Sequence, residues 1–284
     1  MKAQLSLITP PAAEPLALVD AKKSLRVDYS YDDDLITSLI VVARQAVESY
    51  THRALVTQEW MYEMDSFPPL HPLYMRRGFP QILVPKPPLQ SIVSFQYVDT
   101  AGDLQDLPQQ TDYGRDWLAM YGYQLMPGSE TQPARLLPPW ARPWPPCRLA
   151  AGCVQLDFIA GYCDADYVSI ANGSLGVIVG FVFPQSASGK MIYIPGAGPA
   201  GTRLVAKLAV DGNGSGTITP AASSGVNNAL AFVGGEVPAE IIQAMKQYVG
   251  FLYARRGDDA VLPNSSEYPP AFEALLSPLV CHIV

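Results

Sequence analysis

Proline is concentrated in one short stretch of the chain, and this stretch limits the possible folds more than any other feature. The segment PARLLPPWARPWPPC spans residues 133–147. Proline lacks a backbone N–H, so it interrupts helices and is excluded from the central strands of sheets. We therefore expect an ordered, extended connection here, held in place by Trp140 and Trp144. An all-helical fold is incompatible with this segment.

Strands are predicted on both sides of this connection. In SIVSFQYV, Val93, Phe95 and Tyr97 lie on one face with polar residues between them, and DTAGD then supplies a hairpin turn. VQLDFIAGY shows the same alternation from Val154 to Phe158. Both segments are typical of strands that bury one face.

The clearest helix follows the acidic run Asp32–Asp34. In LITSLIVVARQAVESYT, two adjacent apolar stripes recur at helical spacing and predict a helix buried on much of its circumference. The first stripe consists of Leu35, Leu39, Val42, Ala46 and Tyr50, and the second of Ile36, Ile40, Ala43 and Val47. The three carboxylates favour the N-terminus of this helix, where capping and the helix dipole are a better explanation for them than a metal ion.

Three further helices complete the helical part. VPAEIIQAMKQYVGFLYARRG has proline in its first turn and Arg-Arg-Gly at its end, which predicts a helix near residues 238–256. Shorter helical patterns lie at Leu16–Arg26 and Pro270–Ser277.

Between Asp164 and about Gly235 the chain is rich in Gly, Ser, Ala, Val and Asn and almost free of charge. The segment has candidate strands, in the order LGVIVGFVF, KMIYI, TRLVAKLAV, GTIT and ALAFV. We predict a small all-β, sandwich-like domain at residues 164–235, inserted into a domain made of residues 1–163 and 236–284. The fold class is therefore α+β, with a helical core and a β-rich middle.

Charge and composition exclude several functional classes. The chain carries 19 Lys and Arg against 26 Asp and Glu, a net charge of −7, which is opposite in sign to that of general nucleic-acid or anionic-membrane binders. Its four cysteines show no C-x2-C spacing, so neither a disulfide scaffold nor a structural zinc site is expected. The first twenty residues resemble neither a signal peptide nor a membrane span, which favours a protein made in a cytoplasm.

Two loops imitate ligand-binding motifs. Gly196, Gly198 and Gly201 fit G-x-G-x-x-G, but a strand pattern follows them where a dinucleotide site needs a helix, so we favour a β-turn over nucleotide binding. The loop from Asp211 to Gly216 resembles half of an EF-hand, yet Ala222 stands where the bidentate Glu belongs. A hairpin turn is preferred there over a calcium site.

Histidine spacing gives no support for catalysis. His52, His71 and His282 are the only histidines, and none has the spacing of a metal site or neighbours a nucleophile motif. We predict no enzymatic activity, no catalytic residues, no metal and no cofactor.

Four stretches in this order resemble the phage head-tail connector family, the gp6-like adaptors and related gp8-like proteins of siphophage necks. They are LALVDAKKSLRVD with DDDLITSLIVVARQAVESYTHRAL, then ILVPKPPLQSIVSFQYVDTAGDLQDL, then VQLDFIAGY, and finally EVPAEIIQAMKQYVGFLYARRGD. Members of this family usually pass from the AGY element to the V-P-x-x-I helix within a few residues. About seventy residues intervene here, which makes the predicted β domain an addition to the family pattern.

The resemblance implies a structural virion protein that forms a ring, of twelve copies, under the portal. Such a ring extends the DNA channel, lets genomic DNA pass without sequence-specific binding, and docks a tail-side neck or tail-completion protein. The expected location is the neck of a virion assembled in the host cytoplasm, with no membrane contact. A negatively charged chain suits such a channel because it does not bind phosphates.

The apolar C-terminus is the predicted partner contact. In LLSPLVCHIV and the residues just before it, we expect an arm that packs on a neighbouring copy. The contact residues predicted for this arm are Phe272, Leu275, Leu276, Leu279, Val280 and His282. The alternative function is a binding module, in which the β domain recognises a carbohydrate or host surface.

Overall fold

Four helices form the helical layer of the protein. The computed structural model describes residues 2–69, 80–110, 121–129, 132–139, 142–170, 176–178, 183, 187–255 and 268–281. The helices are α1 (Leu18–Leu25), α2 (Asp33–Thr51), α3 (Ala239–Ala254) and α4 (Pro270–Leu276). All four predicted helices are confirmed. Helix α2 packs on α3, and both contact α1 and α4 around one apolar core.

Only one of the two predicted stripes of α2 is the inner face. Ile36, Ile40, Ala43 and Val47 are at most 2% exposed and form the centre of the helical core. In the other stripe, Leu35 and Val42 remain exposed, at 36% and 43%. The prediction that the first stripe is buried is therefore wrong for these two residues.

A five-stranded antiparallel sheet forms the β-rich middle. Its strands are β1 (Ala3–Thr9), β2 (Gln58–Met64), β4 (Leu89–Val98), β5 (Leu104–Asp106) and β8 (Val154–Ala160), in the order β1-β2-β8-β4-β5. Val154, Leu156 and Phe158 are fully buried, as their alternation predicts. Strand β1, which no sequence pattern indicated, is an edge of this sheet.

A bulge in β4 changes the predicted face of that strand. Ile92 pairs with Phe158 and Ser94 with Asp157, so Val93 is an extra residue with no partner of its own in β8. Phe95 and Tyr97 are buried as predicted, whereas Val93 is 52% exposed. The prediction that Val93 lies on the buried face is therefore wrong, because the extra residue of a bulge interrupts the alternation of side chains between the two faces of the strand.

The proline-rich connection contains a short strand. Its Arg135–Leu137 segment is β7, the central strand of a small sheet that also has β3 (Ile82–Leu83) and β6 (Gln124–Met126). The prediction of no central strand is wrong here because the prolines flank β7 and leave its three N–H groups available. Trp144 anchors the connection as expected, stacking on Phe67 at 5.1 Å and donating to the Pro80 carbonyl at 2.9 Å. Trp140 lies outside the described residues.

A six-stranded antiparallel sheet follows. It contains β9 (Asp164–Ile170), β10 (Val177–Ile178), β11 (Met191–Ile194), β12 (Leu204–Val210), β13 (Gly216–Thr219) and β14 (Val226–Val233), in the order β10-β13-β12-β11-β14-β9. We call it the insert sheet. Four of the five predicted strands are confirmed, and of LGVIVGFVF the described part forms a strand at Val177–Ile178 but not at Phe183; β9 is additional. These strands all belong to one sheet, so the second layer of a sandwich is not seen in the described part of the chain.

The insert sheet is joined to the rest of the protein through β9 and β14, its first and last strands in the sequence. Ala165 of β9 and Leu230 of β14 belong to the helical core. At the entry to β9, the Thr57 N–H donates to the Cys163 carbonyl at 3.0 Å. Gly161 has φ +137°, and a Cβ there would lie 2.5 Å from the Val56 carbonyl. Only glycine allows this close approach.

Candidate functional site

The loops that resemble ligand sites are turns. Pro199–Gly201 form a 3-10 turn that leads directly into strand β12. The Asp211 Oδ1 accepts hydrogen bonds from the N–H groups of Asn213 and Ser215, at 2.9 and 2.8 Å, and closes the β12–β13 hairpin. The hairpin and β-turn predictions are confirmed.

Metal binding has no candidate centre among the described residues. They contain no group of three His, Cys, Asp or Glu side chains that could hold a metal ion. His52 ends α2 in the left-handed conformation at φ 57°, and His71 and His282 lie outside the described part. Among the described helices, none combines the length and apolar character that crossing a membrane requires.

The acidic run begins α2 as predicted, but without a capping hydrogen bond from its first carboxylate. Asp32 occupies the N-cap position, and its Oδ2 accepts hydrogen bonds from the hydroxyls of Tyr29 and Tyr253, at 3.1 and 2.5 Å. Asp33 forms an ion pair with Lys22 of α1 at 2.5 Å. The run therefore ties the start of α2 to α1 and α3.

The outward side of α2 is unusual because it carries no exposed charge after the first turn. From Leu35 to Thr51 the only charged residues are Arg44 and Glu48, and both are buried. The residues that remain exposed or half-buried on this side are small, apolar or amide side chains. We define the α2 outer face as Leu35, Ser38, Leu39, Val42, Gln45, Ala46 and Ser49.

Exposed tyrosines lie at the N-terminal end of this face. Tyr31, two residues before the helix, is 92% exposed, and Tyr29 is 48% exposed. Tyrosine is enriched in protein interfaces because it offers a large, rigid contact area with a polar end. These tyrosines were not predicted as contact residues, although the two in the short loop YSYDDD were a visible signal.

The predicted C-terminal contact residues are mostly part of the chain's own fold. Phe272 and Leu276 are fully buried in the helical core, and Leu275 and Leu279 pack at its edge. The Leu279 carbonyl accepts a hydrogen bond from Arg53 Nε at 2.6 Å. Val280 is half-buried, and His282 lies outside the described residues. Contact of this segment with a partner stays a prediction.

A buried charge network joins α2 to the five-stranded sheet. Arg44 contacts Glu14 and Glu48, each at 2.8 Å. Glu48 Oε1 also accepts a hydrogen bond from Gln58 Nε2 of β2 at 2.6 Å, and the Glu48 carbonyl accepts one from Lys86 Nζ at 3.3 Å. This network fixes the position of α2 over the sheet. The network was not predicted from the sequence, although an Arg–Glu pair at i, i+4 in an otherwise uncharged helix was an available signal.

Burial shifts the ionisation of two members of this network. Desolvation raises the pKa of Glu14 above its ordinary 4.5, although the neighbouring Arg44 acts in the opposite direction. Desolvation also lowers the pKa of Lys86 below its ordinary 10.5, against the attraction of Glu48. Each shift shows that the charged form is less well solvated here than in water.

A groove of about 560 Å³ lies between the five-stranded sheet and the insert sheet. Val56 and Ile159 line it on one side, and Ala165 and Val168 of β9 on the other. Asp164 and Lys190 are 3.9 Å apart at this groove. Its lining is mostly apolar, and its charged groups are the Asp164–Lys190 pair and Asp166.

A family model supports the resemblance seen in the sequence. Residues 16–82 match the model for the phage gp6-like head-tail connector protein. This segment contains α1, α2, β2 and the start of β3, and it therefore includes the α2 outer face and most of the charge network. No protein with a curated description matches the sequence.

Solved structures share the fold over nearly the whole chain. A chain in the structure described as "Neck of empty GTA particle computed with C6 symmetry" matches with a TM-score of 0.53 and 14% identity, covering 99% of this chain and 97% of that one. A chain in "Virion of native gene transfer agent (GTA) particle" gives 0.53 and 13% identity, over 99% and 96%. A chain in "Neck of native GTA particle computed with C12 symmetry" gives 0.51 and 14% identity, over 99% and 97%.

These matches agree with the order of elements described above. The family match lies on the first two helices and the inner strand β2, and the fold match extends through the insert sheet to the C-terminal helix. Over residues 16–82 the chain is thus similar to the phage gp6-like head-tail connector proteins.

Proposed function

We propose that this protein is a structural component of the neck of a phage-like particle. It assembles as a ring of twelve copies beneath the portal, extends the DNA channel, and docks a tail-side neck or tail-completion protein. The observation that carries this proposal is the agreement between the family match at residues 16–82 and a fold match over 99% of the chain to chains from particle necks. Synthesis in the host cytoplasm and residence in the virion neck are part of the same proposal.

Symmetry and charge support the ring. The neck structures that contain chains of this fold were computed with C6 and C12 symmetry. A ring of twelve identical copies is compatible with both, because a twelve-fold axis includes the six-fold rotations. A chain with net charge −7 lets DNA slide through a central passage, since basic linings hold phosphates. An enzymatic role has no support from any cluster of reactive groups in the described residues.

The mass of the full-length protein in solution tests this function. Light scattering is measured for the protein alone and mixed with a purified portal ring. We expect a ring of about twelve 30.8 kDa chains, either free or formed on the portal. A monomer that does not bind the portal contradicts the proposal.

We further propose that residues 164–235 are an inserted domain that decorates the outside of the ring. Ile170 pairs with Val226 in the β9–β14 ladder, so a two-residue Asn-Gly turn can replace residues 171–225 and convert the two strands into a hairpin. This variant keeps Ala165 and Leu230, which belong to the helical core. We expect it to assemble as the full chain does. Loss of assembly with retained helix content would place the insert sheet in the subunit interface.

A binding role for the insert sheet is the second candidate. Tyr167 of β9 is 37% exposed, and the Arg203 guanidinium lies over the ring of Tyr193 at 5.5 Å. Tyrosine and arginine are enriched among the residues that contribute most to binding at protein interfaces. A glycan array probed with the full chain tests it. Specific binding that is lost in Tyr167→Ala would favour this role, and a blank array would count against carbohydrate recognition.

A further inference from the structure

The structure assigns the α2 outer face a specific occupant: we propose that it is the surface on which the next copy of the same chain packs. This inference rests on the ring proposed above and names the contact that builds it. The face contains Leu35, Leu39, Val42 and Ala46 along one line of the helix, with Ser38, Gln45 and Ser49 beside them.

The first argument is that the chain itself covers the α2 outer face only in part, since Leu39 and Ala46 are half-buried at the edge of the helical core. The opposite side of α2, with Ile36, Ile40 and Val47, already packs in the helical core. On the outer side, Leu35 and Val42 are 36% and 43% exposed. A helix that faces water normally places charged residues on that side, whereas this face has none over four turns.

The second argument identifies the occupant from charge. Two copies with a net charge of −7 repel each other wherever acidic surfaces meet. A contact through a face without carboxylates avoids this repulsion and avoids burying unpaired charge, and the centres of protein interfaces are depleted in charged residues for the same reason. A basic or nucleic-acid partner would instead need acidic or basic side chains on this face.

The third argument is the position of the face. It lies within residues 16–82, the segment that matches the connector family, rather than in the insert sheet. In a closed ring each copy contacts two neighbours through two different patches, so the α2 outer face meets another surface of the next copy. Tyr31, which is 92% exposed at the start of the helix, is placed to anchor one end of this contact.

An acidic substitution within the face tests the inference. Val42→Asp in the full chain places a carboxylate at the centre of the proposed contact. We expect the concentration needed for half-maximal ring assembly, in solution or on a portal ring, to rise at least about tenfold. Leu149→Asp is the matched control: Leu149 is 86% exposed in a loop away from α2, and this variant should assemble like the unmodified chain.

A milder variant keeps the test decisive if Val42→Asp disturbs folding. Gln45→Glu replaces an exposed amide by a carboxylate of the same shape and adds one negative charge to the face. The far-ultraviolet circular dichroism spectrum should be unchanged, while ring assembly should be weakened. If the unmodified chain forms rings and both face variants assemble equally well, the α2 contact is refuted and the ring stands. If the unmodified chain never forms a ring, the proposed function itself fails.

Discussion

The segment around α2 and the insert sheet are stabilised in different ways. Every charged side chain that is buried in the described part of the chain lies between Asp32 and Arg53, within the family-matched segment. The core of the insert sheet is made of Ala, Val, Ile and Leu with one Phe, and it contains no buried charge among the described residues. The segment around α2 adds a specific charge network to its apolar packing, whereas the insert sheet combines strand pairing with an apolar core.

The two kinds of stabilisation have different consequences for how precisely an element is positioned. A buried ion pair contributes little net stability compared with apolar residues of similar volume, but it is costly to leave incomplete, so it permits few alternative arrangements. The network of Glu14, Arg44 and Glu48 therefore fixes α2 over the sheet and, with it, the direction of the α2 outer face. The insert sheet needs no such constraint if it only decorates the particle.

The largest effect is expected from breaking the network. Arg44→Leu leaves the buried Glu48 and the half-buried Glu14 without the guanidinium that pairs with both, and should lower the free energy of unfolding by about 3–5 kcal/mol. The control is Arg203→Leu at the edge of the insert sheet, where the Arg203 side chain is 52% exposed and the Glu236 ion pair should contribute less than about 1 kcal/mol. Urea titrations of both variants measure the difference. Equal losses would show that the two regions are not stabilised differently.

Thiol labelling tests whether the two regions separate. Cys163 lies at the junction, and burial raises the pKa of its thiol from 9.0 to about 12. Its thiolate fraction at pH 8 is therefore lower than that of an ordinary thiol by a factor on the order of a thousand. We expect a variant with Cys163 as its only cysteine to react far more slowly with iodoacetamide than one that keeps only the half-buried Cys147. Similar rates would mean that the junction opens readily.

The pH dependence of stability should distinguish two members of the network. The folded-state pKa of Glu14 is raised, so its contribution to stability is greatest below its ordinary 4.5 and declines as the pH rises through the folded-state value. The pKa of Lys86 is lowered, so stability rises with pH between the folded-state value and 10.5.

Both effects are measured from the free energy of unfolding as a function of pH, from below 4.5 to above 10.5. The proteins compared are the unmodified chain, Glu14→Gln and Lys86→Met. The difference between the unmodified chain and Glu14→Gln should shrink or reverse with rising pH. Relative to Lys86→Met, the free energy of unfolding of the unmodified chain should increase as the pH becomes alkaline. Parallel curves for all three proteins would contradict the assigned shifts.

The smallest effect is expected at the bulge in β4. Val93 is 52% exposed, so Val93→Thr should change the free energy of unfolding by less than about 0.5 kcal/mol. Leu156→Ala, in the buried strand beside it, should cost about 2–5 kcal/mol. Thermal unfolding of the two variants compares them. A large loss at Val93 would mean that its side chain packs in the core, as the simple alternation predicted.

Local patterns predicted local structure well. Helix α2 and the β12–β13 hairpin were predictable because helical spacing and the Asp211 turn depend on neighbouring residues. The Val93 bulge and the central position of β7 were not predictable in this way, since both depend on which strands pair across long sequence separations.

The candidate site was predictable only in part. The two apolar stripes of α2 were visible in the sequence, but spacing cannot show which stripe the same chain covers. The contact between Glu14 and Arg44 joins residues thirty positions apart, and no local pattern connects them. Phe272 and Leu276 were predicted to contact a neighbouring copy, and both pack in their own chain's helical core; contact of the C-terminal segment with a partner stays a prediction.

Electron cryomicroscopy of particles that contain the full-length protein tests the central claim most directly. We predict a closed ring of twelve copies in the neck, with the α2 outer face of each copy in contact with the next and the insert sheet on the outside. A neck without this chain, or a ring whose copies meet only through the insert sheet while Val42 faces solvent, would contradict it.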